Sequence, residues 1–573
     1  MAGVSADIVL FAVCVLAVAA LARPFGLYVA GVFGGGVRFL RRLEDAIYGV
    51  SGVDSSGEME WRAYATSMMS FNILGGVVLF LILVFQQHLP LNPQNHPGFR
   101  WDLAVNTAVS FMTNTNWQAY SGEGSAGYFA QMAGLAVQNF LSAATGLCVA
   151  VALIRGIGRQ SGRTIGNFWV DVTRCTLYIL LPVAVLGALF LVSQGVIQNF
   201  NPYVESSLVE PYIAADGEVV GKQILPMGPV ASQEVIKEFG TNGGGFFGAN
   251  AAHPFENPTP LTDVFEVLLI LIIPFALTYT FGHMVGDTRQ GWAIFMVMMF
   301  FFVAALGFGY YFESNGNPLI NHERVSGGYL EGKETRFGVG ESVLYAVATT
   351  ATSTGAVNTM HDSLTPLGGM TPMVLILLGE VCPGGVGSGI YTMLPYVIMA
   401  VFVAGLMVGK TPAYMGKKID SHDMKYSVVI VLLPPILVLL FSGVALTLPE
   451  GVSSIYNGGP HGVSEVLYAF ASMANNNGSA FGGLNANTLF YNIFGAFVMF
   501  VGRFAPAVAA LALAGSMVGK KRYQSTDVLK THDLTFVVWL ITVIVLVDTI
   551  SFLPALALGP VIEHLMMLRG GVF

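Results

Sequence analysis

The chain alternates between long apolar runs and short polar connections. Ten runs are long and continuous enough to cross a bilayer, because a spanning α-helix needs about 20 predominantly apolar residues. Membrane-spanning β-strands would show only a weak alternation over about 10 residues. The pattern therefore predicts an all-α polytopic membrane protein with about ten spans, the first at about 7–33 and the last at about 534–556.

Between the first and the last span, the pattern repeats four times as a span, a short pore helix, a polar segment and a second span. We predict a first span with a cytoplasmic loop (1–64), repeat one (65–160), repeat two (161–290), repeat three with a broken second span (291–423), repeat four (424–525), and a final span with an outer C-terminus (526–573). Four units of the same orientation argue against a transporter built from inverted repeats.

Each repeat carries one small, polar segment between its apolar runs, and most of these segments contain Gly. They are Thr113-Asn114-Thr115-Asn116-Trp117, Thr241-Asn242-Gly243-Gly244-Gly245, Thr352-Ser353-Thr354-Gly355-Ala356 and Asn475-Asn476-Asn477-Gly478-Ser479. Recurrence at intervals of roughly 110 to 130 residues indicates an internal repeat. A selectivity filter made of backbone carbonyls needs four such strands around one axis, and this chain supplies all four.

Glycine suits a filter strand because it adopts φ values that L-residues resist. The sequence alignment places Asn116 where the other segments have Gly244, Gly355 and Gly478, and Asn tolerates left-handed φ better than most residues. Side-chain oxygens of Thr113, Thr241, Thr352 and Asn475 are expected at the inner end. The candidate K⁺-binding residues are Thr113, Asn114, Thr115, Asn116, Thr241, Asn242, Gly243, Gly244, Thr352, Ser353, Thr354, Gly355, Asn475, Asn476, Asn477 and Gly478.

The residues before each segment fit a short re-entrant helix, as at 230–240, 340–350 and 464–474. Such helices would direct their C-termini toward the pore. A helix C-terminus carries about half a negative charge, which favours a cation in the cavity.

Two charged residues stand inside predicted spans, where charge is costly and suggests a function. Glu380 and Arg503 fall at corresponding places in repeats three and four. They could form an ion pair below the filter, or a structural pair, or they could reach a membrane boundary. After Glu380, the run with Gly384, Gly385 and Gly387 cannot continue a helix. We expect this break to act as a gate or to line the ion pathway, with a simple packing kink as the alternative.

The composition agrees with an integral membrane protein. The chain is 54% hydrophobic and 10% charged, against about 25% charged residues in soluble domains.

Most of its 26 Lys and Arg residues fall on one alternating set of connections between the spans. That set is predicted to be cytoplasmic, because cytoplasmic loops carry the excess of positive charge. This places the four segments and both termini outside, and it counts Lys237 as an outer charge. Nucleic-acid binding is unsupported, since no long basic run occurs.

These motifs resemble those of one known family. The most specific are Thr113 to Gln118, Gly240 to Phe246, Thr352 to Asn358 and Asn475 to Phe481, together with Gly379-Glu380-Val381 and Gly502-Arg503. On them, the chain resembles the potassium-binding A subunits of Kdp-type potassium-transporting P-type ATPases of bacteria and archaea. The resemblance covers essentially the whole chain.

The resemblance implies the fold of the potassium channel and transporter superfamily with one extra span at each end. It implies K⁺ as the bound ion and high-affinity uptake across the bacterial inner membrane. It also implies three partners: a P-type ATPase B subunit that hydrolyses ATP, a C subunit and a small single-span subunit. The chain itself shows no nucleotide motif and no Asp-Lys-Thr-Gly-Thr phosphorylation motif. The alternative is a stand-alone, channel-like symporter subunit of the Trk or Ktr type.

Overall fold

The structure is a computed structural model that describes residues 2–214, 217–318, 329–522 and 529–570. Within these ranges, ten helices are long and apolar enough to cross a membrane, so the predicted all-α polytopic fold with ten spans is confirmed. They are Ser5–Phe33, Trp61–His88, Ala130–Gly158, Phe168–Ser193, Pro260–Val285, Thr288–Asn315, Ser388–Met407, Ser421–Thr447, Leu489–Val518 and Leu534–Leu568. We number them as the first to the tenth span.

Four shorter helices precede the polar segments, and we call them pore helices one to four. They are Trp101–Met112, Val230–Phe239, Gly338–Ala351 and Gly459–Ala474. The remaining helices are Arg41–Ser51, Gly122–Ser125, Asn250–Ala252, His361–Ser363, Pro366–Leu377 and Pro449–Val452. The short strands Met59–Glu60 and Thr164–Gly166 pair antiparallel, as do Ala413–Tyr414 and Lys417–Lys418.

The strands Val204–Ile213 and Val219–Leu225 form an exposed antiparallel hairpin before pore helix two. The apolar pattern predicts only a loop here. The hairpin carries β-branched residues such as Val204 and Val219, and its two strands satisfy each other's backbone groups without a buried face.

Small residues allow close packing between spans, as is common in membrane helix bundles. In the first span, a Cβ at Gly26 would lie 2.7 Å from the carbonyl oxygen of Ala276 in the fifth span. The Thr280 hydroxyl donates a hydrogen bond to the Gly26 carbonyl at 3.0 Å. The extra N-terminal span is thereby fixed against repeat two.

The second membrane-crossing part of repeat three is interrupted. Helix Pro366–Leu377 ends, residues 378–387 form an irregular loop, and the seventh span begins at Ser388. Gly379, Glu380, Gly384 and Gly387 all have positive φ in this loop, a conformation that ends a helix. We call residues 378–387 the break loop.

Candidate functional site

Segments one (113–116), two (241–244), three (352–355) and four (475–478) contact one another in chain order and close a ring. The Asn114 side chain donates to the Thr241 carbonyl at 2.8 Å and joins segments one and two. The Asn476 side chain donates to the Thr115 hydroxyl at 2.8 Å and joins segments four and one. Gly243 of segment two contacts segment three, and Gly355 of segment three contacts segment four, as described below. The structure thus brings all four predicted segments together.

Equivalent backbone hydrogen bonds define the register of the four segments. In each, one amide donates to the carbonyl five residues earlier, at the end of the pore helix: Thr115 to Ser110 at 3.0 Å, Asn242 to Lys237 at 2.8 Å, Thr354 to Thr349 at 2.9 Å and Asn477 to Ser472 at 2.8 Å. The next residues are Asn116, Gly243, Gly355 and Gly478. Asn116 therefore aligns with Gly243, and the alignment with Gly244 was wrong by one residue. Segments one and two both begin with Thr-Asn, and the sequence alignment matched these letters. The end of each pore helix sets the true register.

The same register corrects the inner end of segment two. Thr241 corresponds to Asn114, Ser353 and Asn476, and all four have left-handed φ, at +43°, +67°, +49° and +51°. Non-glycine residues rarely adopt this conformation, and it persists only where the surroundings impose it. Here the segments are held by side chains: Asn242 donates to the Asn114 side-chain oxygen at 2.6 Å, and Ser142 donates to that oxygen at 2.8 Å.

Glycine is required where one segment contacts the next. A Cβ at Gly243 would lie 1.9 Å from the Thr354 oxygen, and a Cβ at Gly355 would lie 1.9 Å from the Asn477 oxygen. Likewise, a Cβ at Gly478 would lie 1.9 Å from the Thr115 oxygen. Their φ values of +98°, +95° and +99° are also nearly equal. The three contacts are one interface repeated around the ring.

Asn116 occupies the fourth of these positions with a side chain. Its φ of +53° differs from that of the glycines. The side-chain amide donates to the Asn139 side-chain oxygen at 2.7 Å and to the Gly243 carbonyl at 3.1 Å. The ring is therefore asymmetric, and Asn116 cross-links segment one to segment two where the other repeats pack backbone against backbone.

All four pore helices end at the ring. Their last residues are Met112, Phe239, Ala351 and Ala474, and the segments follow within two residues. Four C-terminal dipoles of about half a negative charge each therefore converge on one place. The arrangement favours a cation there.

Lys237 and Glu256 support segment two, and the sequence analysis missed this role. Lys237 was counted as an outer charge, but its side chain is 1% exposed. Its ammonium donates to the Gly244 carbonyl at 3.0 Å and to a Glu256 carboxylate oxygen at 2.6 Å. The other Glu256 oxygen accepts the Phe247 amide at 2.6 Å. The available signal was a Lys six residues before Gly243 in a helix that the pattern buries.

Above the ring lies a cavity of about 490 Å³ that Asn116, Gly244, Gly355 and Gly478 help to line. Each of the four segments contributes to it. We call this cavity the vestibule. The C-terminal ends of the segments therefore open onto this cavity.

The break loop lies against the opposite end of the ring. The Gly384 amide donates to the Ala351 carbonyl at the end of pore helix three at 2.8 Å. The Val386 amide donates to the Thr241 hydroxyl at 2.8 Å. A Cβ at Gly385 would lie 3.2 Å from the Thr352 carbonyl, and one at Gly387 would lie 2.0 Å from the Gly146 carbonyl. The three predicted glycines thus place the loop directly below segments two and three.

The hydroxyls predicted at the inner end are engaged within the protein. The Thr113 and Thr115 hydroxyls lie 2.8 Å apart, and the equivalent Thr352 and Thr354 hydroxyls lie 2.7 Å apart. The Thr241 hydroxyl accepts from the break loop as described. The Asn475 side-chain amide donates to the Ala471 carbonyl at 3.1 Å.

Glu380 belongs to the break loop and Arg503 lies in the ninth span. Both are buried, but they do not form the ion pair considered above. Among the residues that the structure describes, no salt bridge within 4.0 Å joins Glu380 to Arg503. Glu380 accepts the Gly385 amide at 3.4 Å. One terminal nitrogen of Arg503 lies 2.9 Å from the position of a Cβ at Gly146 and has no hydrogen-bond partner.

The fold and site define a multi-pass membrane protein in which four pore helices and four polar segments surround one axis. The family model of the potassium-transporting ATPase A subunit matches residues 12–565. The chain belongs to this family. The resemblance noted from the motifs is thereby confirmed.

Curated relatives agree with the family. A potassium-transporting ATPase potassium-binding subunit of Geotalea uraniireducens is 56% identical, covering 98% of this chain and 99% of that one. Another of the same name from Geobacter sulfurreducens is also 56% identical, covering 96% and 97%. Among solved structures, the potassium transporter TrkH from Vibrio parahaemolyticus matches with a TM-score of 0.46 at 13% identity, over 74% of this chain and 82% of that one. That likeness is too low to support an argument.

Proposed function

We propose that this chain is the potassium-selective binding and translocating subunit of an ATP-driven, high-affinity potassium uptake pump. The observation that carries the proposal is the closed ring of segments one to four. A K⁺ ion that enters the ring must exchange hydration oxygens for protein oxygens, and backbone carbonyls supply them. Thr115, Asn242, Thr354 and Asn477 hold equivalent places at the ring level, so their carbonyls are the leading candidate ligands.

The ion enters from the vestibule and leaves below the ring. There the break loop lies across segments two and three, with Glu380 and Arg503 nearby, and it acts as the gate or lines the pathway. Its hydrogen bonds to Ala351 and to the Thr241 hydroxyl support this role. A loop held by these bonds obstructs a straight exit. The resemblance to the family implies that the ion then passes sideways to a partner subunit.

The chain supplies ion selection, and its partners supply the energy. The partners are a P-type ATPase B subunit, a C subunit and a small single-span subunit, as in the family. The chain hydrolyses no ATP by itself. It resides in the bacterial cytoplasmic membrane, with the vestibule and both termini outside, as the distribution of Lys and Arg favours.

The test is potassium-stimulated ATP hydrolysis by the purified complex, measured against potassium flux through this chain alone in vesicles. The proposal expects ATPase activity that saturates at micromolar potassium and no flux without the partners. Flux down a gradient through the isolated chain, without ATP, would instead support the Trk- or Ktr-type symporter reading.

A further inference from the structure

A histidine is surrounded by three carboxylates close to the turn that follows segment three. His461 and Glu465 stand one turn apart on one face of pore helix four, since residues i and i+4 share a helix face. Asp362 comes from the turn that follows segment three, and Glu563 comes from the tenth span. Three distant parts of the chain therefore converge on one imidazole.

The two ring nitrogens of His461 have different surroundings. Nδ1 lies 2.8 Å from a Glu563 oxygen. Nε2 lies 3.0 Å from an Asp362 oxygen and 3.9 Å from a Glu465 oxygen. A metal-binding His almost always donates its second ring N–H to a carboxylate or carbonyl, which fixes the ring orientation. Glu563 is placed to accept that bond while Nε2 faces the other two carboxylates.

The distances fit a small metal ion. The ligand atoms of Asp362, His461 and Glu465 all lie within 4.8 Å of one another. Metal–ligand bonds of about 2.0–2.2 Å in a tetrahedron put neighbouring ligand atoms roughly 3.3–3.6 Å apart. The separations of 3.0 and 3.9 Å from Nε2 lie on either side of that value.

Glu465 gives an independent indication of a ligand. Its side chain is fully buried, yet one carboxylate oxygen has no hydrogen-bond partner. The other oxygen accepts the Asn457 amide at 2.7 Å. The oxygen that accepts from Asn457 is also the one that lies 3.9 Å from His461 Nε2. A buried, unpaired carboxylate oxygen is costly, and a cation that both Glu465 oxygens reach would remove that cost.

We propose that Asp362, His461 and Glu465 bind a divalent transition-metal cation of the zinc type between pore helix four and the turn that follows segment three. An imidazole with two carboxylates suits such a cation. Calcium prefers 6–8 oxygen ligands, and the nitrogen ligand argues against it. Asp362 and His461 are about 15% and 14% exposed, so the metal has an entry path and can keep a water as a further ligand.

A proton competes with the metal for Nε2. Burial lowers the pKa of His461, but the hydrogen bonds that the imidazolium donates to Asp362 and Glu563 outweigh this effect and raise the pKa to about 10. Binding therefore displaces a proton, as is general for metal ligands. Without metal, the protonated imidazole bridges the carboxylates as an ion pair.

A chain of side-chain contacts connects this site to segment four. The His461 ring stacks on Phe481 with centroids 6.1 Å apart, and Phe481 stacks on Tyr468 at 4.3 Å. The Tyr468 hydroxyl lies 2.8 Å from the hydroxyl of Ser479, the residue after Gly478. The site also ties the turn after segment three to the helix that leads to segment four.

The test is equilibrium binding of Zn²⁺ to the purified full-length chain after chelator treatment, in parallel with X-ray absorption at the zinc edge. We expect one tight Zn²⁺ per chain, a spectrum with one imidazole and oxygen ligands, and no displacement by an equal concentration of Ca²⁺. Asp362→Asn should weaken binding at least tenfold. The control is His422→Gln, which removes an exposed histidine elsewhere in the chain and should leave binding unchanged.

His461→Gln should abolish tight binding, and if that variant does not fold, Asp362→Asn still decides. Absence of stoichiometric Zn²⁺ binding in the wild type would overturn the proposal and leave an ion-pair cluster only. Equal binding by the wild type and Asp362→Asn would overturn it as well.

Discussion

Replacing Gly243 by Ala places a methyl group between segments two and three. The new Cβ would lie 1.9 Å from the Thr354 oxygen, at a φ of +98°. An ordinary carbon–oxygen contact is about 3.3–3.6 Å, so the two atoms must separate by roughly 1.4 Å or more. The left-handed conformation itself costs an L-residue about 1–2 kcal/mol.

The displacement matters because the Thr354 carbonyl is a proposed K⁺ ligand. A movement of more than an ångström removes it from coordination while the other three carbonyls stay. We expect the potassium concentration for half-maximal ATPase activity of the complex to rise at least tenfold, which corresponds to about 1.4 kcal/mol. Rejection of sodium should weaken in the same assay.

Gly195→Ala is the matched control. Gly195 has a similar φ of +103°, but a Cβ there meets nothing within 4 Å. Gly195→Ala therefore has a similar conformational cost from its positive φ, but its new methyl group does not contact the ring. Gly243→Ala with unchanged potassium dependence and unchanged sodium rejection would refute the carbonyl-filter reasoning. An equal loss in both variants would show that backbone strain, and not the ring contact, is responsible.

Three further substitutions test other parts of the site. Lys237→Met leaves Glu256 buried and unpaired, so we expect a loss of about 3–5 kcal/mol in stability, seen as a lower melting temperature of the purified chain. Gly387→Ala would put a Cβ 2.0 Å from the Gly146 carbonyl, so we expect the maximal potassium-stimulated ATPase rate to change more than the potassium concentration for half-activation. Arg503→Ala should lower the transport rate more than it lowers the amount of protein inserted in the membrane. Arg503→Lys should keep part of the transport rate that Arg503→Ala loses.

Each of these has a control and a contrary result. For Lys237→Met, the exposed Lys222→Met should leave the melting temperature unchanged, and equal melting of both variants would contradict the stabilising role of the buried Lys237–Glu256 ion pair. For Gly387→Ala, the control is Gly409→Ala, with φ of +70° and no neighbour within 4 Å; wild-type kinetics in Gly387→Ala would remove the break loop from the pathway. If Arg503→Ala fails to accumulate in the membrane, its role is structural.

Much of the architecture follows from the sequence, because apolar length and internal repetition are strong signals. Ten spans, short helices before the segments and a break in the second span of repeat three all appear in the structure, although the helix already ends at Leu377, before Glu380. The break was predictable because Pro and several Gly residues cannot hold a helix. The exposed hairpin at Val204–Leu225 was not, since it buries no face that a pattern could reveal.

The site was harder to predict in its details. Matching letters aligned Asn116 with Gly244, whereas the last turn of the pore helix sets the register and aligns it with Gly243. Lys237 looked like a solvated charge because sequence alone does not show that Glu256, 19 residues later, folds back against it. Glu380 and Arg503 were considered as an ion pair because they fall at corresponding places in two repeats, but sequence alone does not show how far apart their charged groups lie.

The central claim is that the four segments bind the transported ion through backbone carbonyls. The most direct measurement is anomalous scattering from crystals of the complex grown with thallous or rubidium ions in place of K⁺. The account predicts an ion on the axis of the ring, coordinated by the carbonyl oxygens of Thr115, Asn242, Thr354 and Asn477. Ions bound elsewhere, with none inside the ring, would contradict it.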